Sequence, residues 1–208
     1  MTSNNQILSI YNSRVNITDI MDSLKYDVSD SRSFSINEID TMYKNAQMDM
    51  LLTQIDSGKK AYVKYYLAAK QLRKPNLDDI IEDLFVIENV LNKNDTLIII
   101  TEDEPNDTIQ TRIKYLYDHD GIFVIIHCIK RLQYNILKHN LVPQCTILQD
   151  SEVDTLKKTY NISSLSQLPE ISRFDPQALA MCLRPGEVCM FMRTSITAMN
   201  TQYYRVCI

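Results

Sequence analysis

Apolar residues recur at intervals of three and four positions near the start of the chain. Between residues 6 and 24 they run from Ile7 and Ile10 to Ile20 and Leu24. An α-helix brings its side chains back to the same face about every 3.6 residues, so this spacing predicts an amphipathic helix. Its apolar face should pack on the rest of an N-terminal domain.

A second helix is predicted to begin after Ser35. Glu38 stands three residues later, and this spacing is typical of a capping box, in which each side chain binds the backbone N–H of the other residue. Apolar residues follow at Ile36, Ile39 and Met42. We expect this helix to extend towards Gly58.

From Lys59 onwards the pattern changes to short apolar segments that alternate with amphipathic ones. Three segments are typical of buried strands: "KKAYVKYYLAA", "TLIIIT" and "IFVIIHC". A fourth, partly exposed strand is predicted at "LQYNILKH". Helices are predicted between them, one starting at Pro75 and one across "DTIQTRIKYLYD". Continuous apolar strands separated by helices favour an α/β layer whose sheet is covered on both faces.

The alternation stops at "HNLVP", residues 139–143, and we place a domain boundary there. Beyond it the pattern predicts a helix across "SEVDTLKKTY", a short helix capped by Asp175, and two strands at "EVCMFMR" and "QYYRVCI". The fold class is therefore an α/β N-terminal domain, residues 1–138, followed by a small α+β C-terminal domain, residues 139–208.

Composition and charge exclude several classes of protein. The chain has 208 residues, a net charge of −4 and no apolar run long enough to cross a bilayer, and its N-terminus lacks the features of a signal peptide. The five cysteines form no C-x-x-C pair, so we expect reduced, buried thiols and no metal or cofactor. The charge does not favour a surface that grips nucleic acid along its whole extent.

Motifs of nucleotide chemistry and nuclease chemistry are missing. Glycine occurs only at positions 58, 121 and 186, so no glycine-rich phosphate loop is possible. A metal-dependent nuclease needs acidic ligands and usually a nearby lysine, yet no Asp or Glu has Lys two positions later. We therefore expect no catalytic residues in this chain.

The C-terminal domain resembles a known family, RNA polymerase subunit 5, which the eukaryotic nuclear polymerases share and which has an archaeal counterpart. The resemblance rests on an ordered series of motifs: His139-x-Leu-Val-Pro143, Leu168-Pro-x-Ile171, Asp175-Pro176, Gly186-x-Val188, Arg193-x-Ser195-x-Thr197-Ala198 and Tyr204-Arg205. The chain departs from the family pattern at Cys145, where a second His is usual.

A bias towards Asn and Ile, with little Gly, would suit an AT-rich genome such as that of a large DNA virus.

The resemblance implies an architectural, non-catalytic subunit of a multisubunit DNA-directed RNA polymerase. It implies an N-terminal domain with a restriction-endonuclease-like fold that lacks nuclease residues and forms a jaw near downstream DNA. It also implies that the C-terminal domain docks on the largest subunit. The candidate partner-binding residues are Pro143, Asp175, Arg193, Ser195, Thr197, Tyr204 and Arg205. A structural role in caps, turns and strands is the alternative for these residues.

A basic stretch supplies the candidates for DNA contact, which would be weak and independent of sequence. Its members are Lys59, Lys60, Lys64, Lys70, Arg73 and Lys74, interleaved with tyrosines. A solvated strand-and-turn face is the alternative interpretation. The family's DNA-side loop carries Thr-Pro-Ser, whereas this chain has Glu104-Pro105-Asn106-Asp107, whose carboxylates would repel phosphate.

Two other functions remain open from the sequence. One is a divergent metal-dependent nuclease, and the other is a free-standing scaffold that shares only the C-terminal domain. The polymerase interpretation places the protein in the nucleus of a cell. For a large DNA virus, it places the protein in the virion and the cytoplasmic viral factory.

Overall fold

A computed structural model describes residues 2–195 and 197–208, with side chains described from residue 5. The chain forms two compact units, one up to Asn135 and one from Ile136 to Ile208. The boundary predicted from the sequence lies three residues further on. Each unit holds one four-stranded sheet, so the fold is mixed α/β with two sheets.

The described part of the first unit begins with two helices, after which strands and helices follow one another. Its elements are α1 (Thr2–Ser23), α2 (Ile36–Lys44), β1 (Met50–Thr53), β2 (Lys60–Tyr66), α3 (Lys74–Glu82), β3 (Thr96–Thr101), α4 (Asp107–Tyr115) and β4 (Phe123–Cys128). Helices α3 and α4 each continue into a π-helical turn, Asp83–Ile87 and Leu116–Asp120.

The sheet of the first unit has the order β1-β2-β3-β4. Strands β2, β3 and β4 are parallel, with Val63 beside Ile98 and Ile98 beside Ile125, whereas β1 is antiparallel to β2. Every residue of β3 and β4 is buried. This confirms the two apolar strands predicted by "TLIIIT" and "IFVIIHC", because parallel strands covered on both faces need continuous apolar side chains.

Helix α1 buries the apolar face that its periodicity predicts. Ile10, Ile17 and Met21 have no exposed surface. Arg14 is also buried, and its Nη1 donates a 2.9 Å hydrogen bond to the carbonyl of Met48. Burial lowers the pKa of Arg14. The helix is therefore held to the chain that leads into β1.

The capping box at the start of α2 is confirmed, but the predicted length of this helix is wrong. The Ser35 N–H donates to Glu38 Oε2 at 2.6 Å, and the Glu38 N–H donates to Ser35 Oγ at 3.4 Å. The helix ends at Lys44, because Ala46 has a φ of 54°. The apolar residues near Met50 belong to strand β1, in which buried and exposed residues alternate.

The strand predicted at "LQYNILKH" is also wrong. This segment forms two 3-10 turns, Arg131–Gln133 and Ile136–Lys138. Leu132 is buried, and its carbonyl accepts a 2.8 Å hydrogen bond from Nδ2 of Asn16 in α1. Packing of this turn on α1 replaces the strand pairing that alternating residues would otherwise favour.

The second unit holds a second sheet with the order β5-β7-β8-β6. Its elements are β5 (Gln144–Ile147), α5 (Asp150–Tyr160), β6 (Glu170–Ile171), α6 (Pro176–Ala180), β7 (Val188–Ser195) and β8 (Met199–Cys207). The sequence pattern predicts β7, β8 and both helices but does not predict the two short edge strands. Helix α5 is capped at Gln149, whose N–H donates to Glu152 Oε2 at 2.8 Å.

The second unit has two small apolar clusters. One contains Phe191 and Cys207 with Ala178 of α6, and the other contains Val188 and Val206 with Leu156 of α5. Because side chains alternate along a strand, these clusters lie on opposite faces of the sheet. Each face of the sheet is thus covered by one helix.

Candidate partner and nucleic-acid interfaces

Strands β7 and β8 form an antiparallel ribbon that carries most of the predicted partner-binding residues. Their register places Arg193 opposite Thr201 and Cys189 opposite Arg205. β5 pairs only with residues up to Met192, and β6 pairs only with Val206 and Cys207. Among the described residues, no strand pairs with either edge of the ribbon near its turn.

One face of the ribbon presents a ladder of charge and aromatic surface. The guanidinium carbon of Arg193 lies 4.4 Å from the ring centre of Tyr203, and that of Arg205 lies 5.3 Å from the same ring. Arg193 is exposed, whereas Tyr203 and Arg205 are half-buried. The structure thus brings together two predicted residues, Arg193 and Arg205, through a tyrosine that sequence reasoning did not select.

Tyr204 points to the opposite face of the ribbon. Its ring contacts that of Tyr160 in α5 edge to face, with 5.9 Å between the ring centres, and its hydroxyl donates to Gln202 Oε1 at 2.8 Å. Burial and the neighbouring Tyr160 raise the pKa of Tyr204. Tyr204 therefore cannot share one contact surface with Arg193.

The remaining predicted partner residues have roles inside the second unit. Asp175 Oδ1 accepts a 2.9 Å hydrogen bond from the N–H of Gln177, which caps α6, and Gln177 Nε2 donates to the carbonyl of Pro143 at 2.7 Å. Ser195 Oγ lies 3.2 Å from Thr197 Oγ1 at the exposed turn of the ribbon. Asp175 and Pro143 thus each make a structural contact inside the second unit.

The basic stretch predicted to approach DNA is divided into two groups. Lys59 and Lys60 lie at the amino end of β2, and Lys60 Nζ donates to the carbonyl of Val90 at 3.4 Å. Lys64, within the strand, forms an ion pair with Asp49 at 3.1 Å. Lys70, Arg73 and Lys74 follow the carboxyl end of the strand and precede or begin α3.

The carboxyl edge of the parallel strands collects further charges. Lys70 and Arg73 line a cavity of about 510 Å³ together with Asn76 and Asp103. Lys130, just after β4, pairs with Asp103 at 2.6 Å. This contact lowers the pKa of Asp103 and raises that of Lys130.

Arg131 extends the same edge and pairs with Glu104 at 2.8 Å. Sequence reasoning missed both Lys130 and Arg131. They could have been found, because they directly follow β4 and the carboxyl ends of parallel strands meet at one edge. The acidic loop after β3 thus neutralises these two cations, whereas no salt bridge between described residues involves Lys70, Arg73 or Lys74.

Other ionisable groups are arranged for packing. Burial, with the nearby charge of Arg131, lowers the pKa of His127 to about 4, so its imidazole is neutral inside the sheet at neutral pH.

Over residues 2–195 and 197–208, no three His, Cys, Asp or Glu side chains are grouped to hold a metal ion. In the same residues no helix has the length and apolar character needed to cross a membrane.

Comparison with known proteins gives one consistent result for the C-terminal part. Residues 134–207 match the family model described as RNA polymerase Rpb5, C-terminal domain. A protein of Thermococcus kodakarensis named DNA-directed RNA polymerase subunit Rpo5 is 42% identical over 74 residues, which are 36% of this chain and 89% of that protein. The Rpo5 protein of Pyrococcus abyssi is 40% identical over 74 residues, which are 36% of this chain and 89% of that protein. The Rpo5 protein of Archaeoglobus fulgidus is 32% identical over 75 residues, which are 36% of this chain and 97% of that protein.

Proposed function

The chain belongs to the RNA polymerase subunit 5 family, and on that premise we propose that it is an architectural, non-catalytic subunit of a multisubunit DNA-directed RNA polymerase. The observation that carries the proposal is the 42% identity to an Rpo5 protein over 89% of that protein's length. The matched region includes the whole second unit except Ile208. Transcription is therefore the process in which the chain acts.

In this proposal the second unit docks on the largest subunit. The exposed ribbon of β7 and β8 supports this, because unpaired strand edges and an accessible Arg next to a Tyr are common features of protein interfaces. Arg193, Arg205, Ser195 and Thr197 are the residues best placed for the contact. Tyr204 would serve a second contact on the opposite face.

The first unit would have the restriction-endonuclease-like fold of the family's jaw and lie near downstream DNA. Its sheet, with three parallel strands and one antiparallel strand, is compatible with such a fold. The absence of an acidic residue with Lys two positions later supports a role without cleavage. Lys70, Arg73 and Lys74 are the cations with which this unit would approach phosphate.

No specific observation favours the two alternatives. A nuclease would need metal ligands, and the described residues contain no suitable group. A free-standing scaffold would have no reason to retain the family's motifs along the ribbon. The proposed subunit would be found where its polymerase acts, in the nucleus or, for a large DNA virus, in the virion and the viral factory.

Affinity purification tests the proposal. We would tag the chain at its N-terminus, purify it gently from its native source and identify the bound proteins by mass spectrometry. The proposal predicts stoichiometric recovery of two very large polymerase subunits. Recovery of the tagged chain without them would reject it, and metal-dependent cleavage of DNA by the purified chain would favour a nuclease.

A further inference from the structure

The most informative feature outside the roles already described is the pair of arginines on Tyr203. Both guanidinium groups rest against one ring, and both arginines lie on the same face of the ribbon. The side chain of Arg193 makes no hydrogen bond or ion pair with any described residue. Arg205 Nη1 reaches only the backbone carbonyl of Glu170, at 3.3 Å, and its Nε is enclosed without an acceptor.

The positive charges of several other arginines are neutralised by carboxylates within the chain. Arg32, Arg112 and Arg131 each pair with a carboxylate of the first unit, at 2.8 or 2.9 Å. Within the described part of the chain, Arg193 and Arg205 have no carboxylate partner, although stacking on Tyr203 holds them in place. An anion from outside the chain would compensate the positive charge of the exposed Arg193.

The chemistry of the site favours a carboxylate. A guanidinium group offers a planar fork of N–H donors that matches the two oxygens of a carboxylate, and stacking on an aromatic ring leaves the edge of the fork free. Because the ring already restricts both side chains, little conformational freedom remains to be lost on binding. The site is thus organised before its partner arrives.

The surroundings of Arg193 favour a protein as the source of this carboxylate. A cavity beside it is lined by Leu141, Pro143 and Met192, and 86% of the Leu141 surface is exposed. An apolar side chain next to the acidic one would cover this surface. Phosphate backbones, in contrast, are bound by rows of cations, and only two are present here.

We propose that Arg193, Tyr203 and Arg205 form a site for an Asp or Glu side chain on a neighbouring polymerase subunit, with an adjacent apolar residue packing on Leu141. The site depends on the proposed function, because the acidic segment belongs to another subunit of the same complex. The ring of Tyr203 positions the fork of Arg193, which binds the partner's carboxylate, and Arg205 at the same ring adds positive charge.

Zero-length cross-linking in the complete polymerase tests the site. Arg193→Lys places a primary amine at this position. A carbodiimide converts a nearby carboxyl group into an O-acylisourea. The amine attacks its carbonyl carbon, an amide bond forms, and the urea leaves. We expect mass spectrometry to find an amide between position 193 and an Asp or Glu of another subunit. Arg32→Lys is the matched control, because Arg32 already pairs with Asp19 and Asp22 and should give links only within the chain.

Charge reversal gives a second readout. In the complex, Arg193→Glu and Arg205→Glu should each lower incorporation of the chain at least tenfold, and Tyr203→Phe, which keeps the ring, should lower it much less. Circular dichroism would verify that the free variants remain folded. An intact complex with no intersubunit link at position 193, while the Arg32 control reacts, would overturn the site.

Two further outcomes would also reject the site, for different reasons. If Arg193→Glu weakened retention of DNA but left subunit assembly unchanged, the anion would be phosphate and not carboxylate. If the unmodified chain failed to co-purify with polymerase subunits, the proposed function would fail, and the site would fail with it. The first result leaves the proposed function standing, so the two failures can be told apart.

Discussion

The carboxylate of Asp49 and the ammonium group of Lys64 lie 3.1 Å apart. Asp49 directly precedes β1, and Lys64 lies within β2. The same carboxylate accepts hydrogen bonds from the N–H of Tyr65 at 3.0 Å and the hydroxyl of Tyr62 at 3.2 Å. Burial and Asp49 together raise the pKa of Tyr62 to about 12. Lys64, predicted as a DNA contact, is therefore part of an internal network.

Removal of this carboxylate should destabilise the first unit. Asp49→Ala leaves the N–H of Tyr65 and the hydroxyl of Tyr62 without their acceptor, and we expect a loss of about 1–3 kcal/mol in the free energy of unfolding. Urea denaturation measures the loss. Asp56→Ala is the control, because its pair with Lys25 is exposed and should contribute less. Equal losses in both variants would show that the network has no special role.

The two groups of basic residues should differ in their effect on DNA binding. Replacing Lys70, Arg73 and Lys74 together by Gln should lower affinity for duplex DNA. It should also reduce the dependence of log K on log salt concentration by about 2 to 3, if each cation meets one phosphate. The matched control replaces Lys59, Lys60 and Lys64 by Gln, and it should change the salt dependence far less. Titrations at several salt concentrations measure both variants, and an equal change in both would contradict the division of the basic stretch.

Asp175 should act through stability. Asp175→Ala removes the acceptor that caps α6, so we expect a loss of about 1 kcal/mol in the free energy of unfolding, whereas Asp175→Asn should retain most of the stability. Denaturation of the two variants measures this difference. If Asp175→Ala kept full stability but failed to assemble with polymerase subunits, the residue would be a direct partner contact.

The buried His127 should make stability depend on pH. Its pKa is about 4 in the folded chain and about 6.5 when unfolded, so only the unfolded state takes up the proton between these values. Stability is complete above pH 6.5 and falls by about 3 kcal/mol as the pH approaches 4. Unfolding curves at pH 7.0 and pH 5.0 measure the loss.

A variant isolates the contribution of this histidine. His127→Gln should flatten the dependence of stability on pH, measured from pH 5.0 to pH 7.0, even if the variant is less stable at every pH. His119→Gln, which removes an exposed side chain, is the matched control. A wild-type dependence retained in His127→Gln would assign it to other groups.

Strong local patterns could be predicted from the sequence, and features created by tertiary contact could not. Ser35 and Glu38 identified a cap, and continuous apolar residues identified β3 and β4, because these signals reside in neighbouring residues. The edge strand β5 has only four residues, half of them exposed, so its pattern is weak. The turn at Leu132 forms through contact with α1, which is distant in sequence.

The candidate sites show the same division. The family motifs pointed to Arg193 and Arg205, but Tyr203 became visible only when the register of β7 and β8 placed it between them. Likewise, Lys64 looked equivalent to Lys70 along the chain. Only pairing of β1 with β2 brought Asp49 beside Lys64 and gave the two lysines different surroundings.

A density map of the polymerase purified through this chain would show whether the chain is one of its subunits. We expect one copy of the chain in the complex, with the ribbon of β7 and β8 against the largest subunit and the first unit facing downstream DNA. A complete, active polymerase that contains no density for residues 136–208 would contradict it.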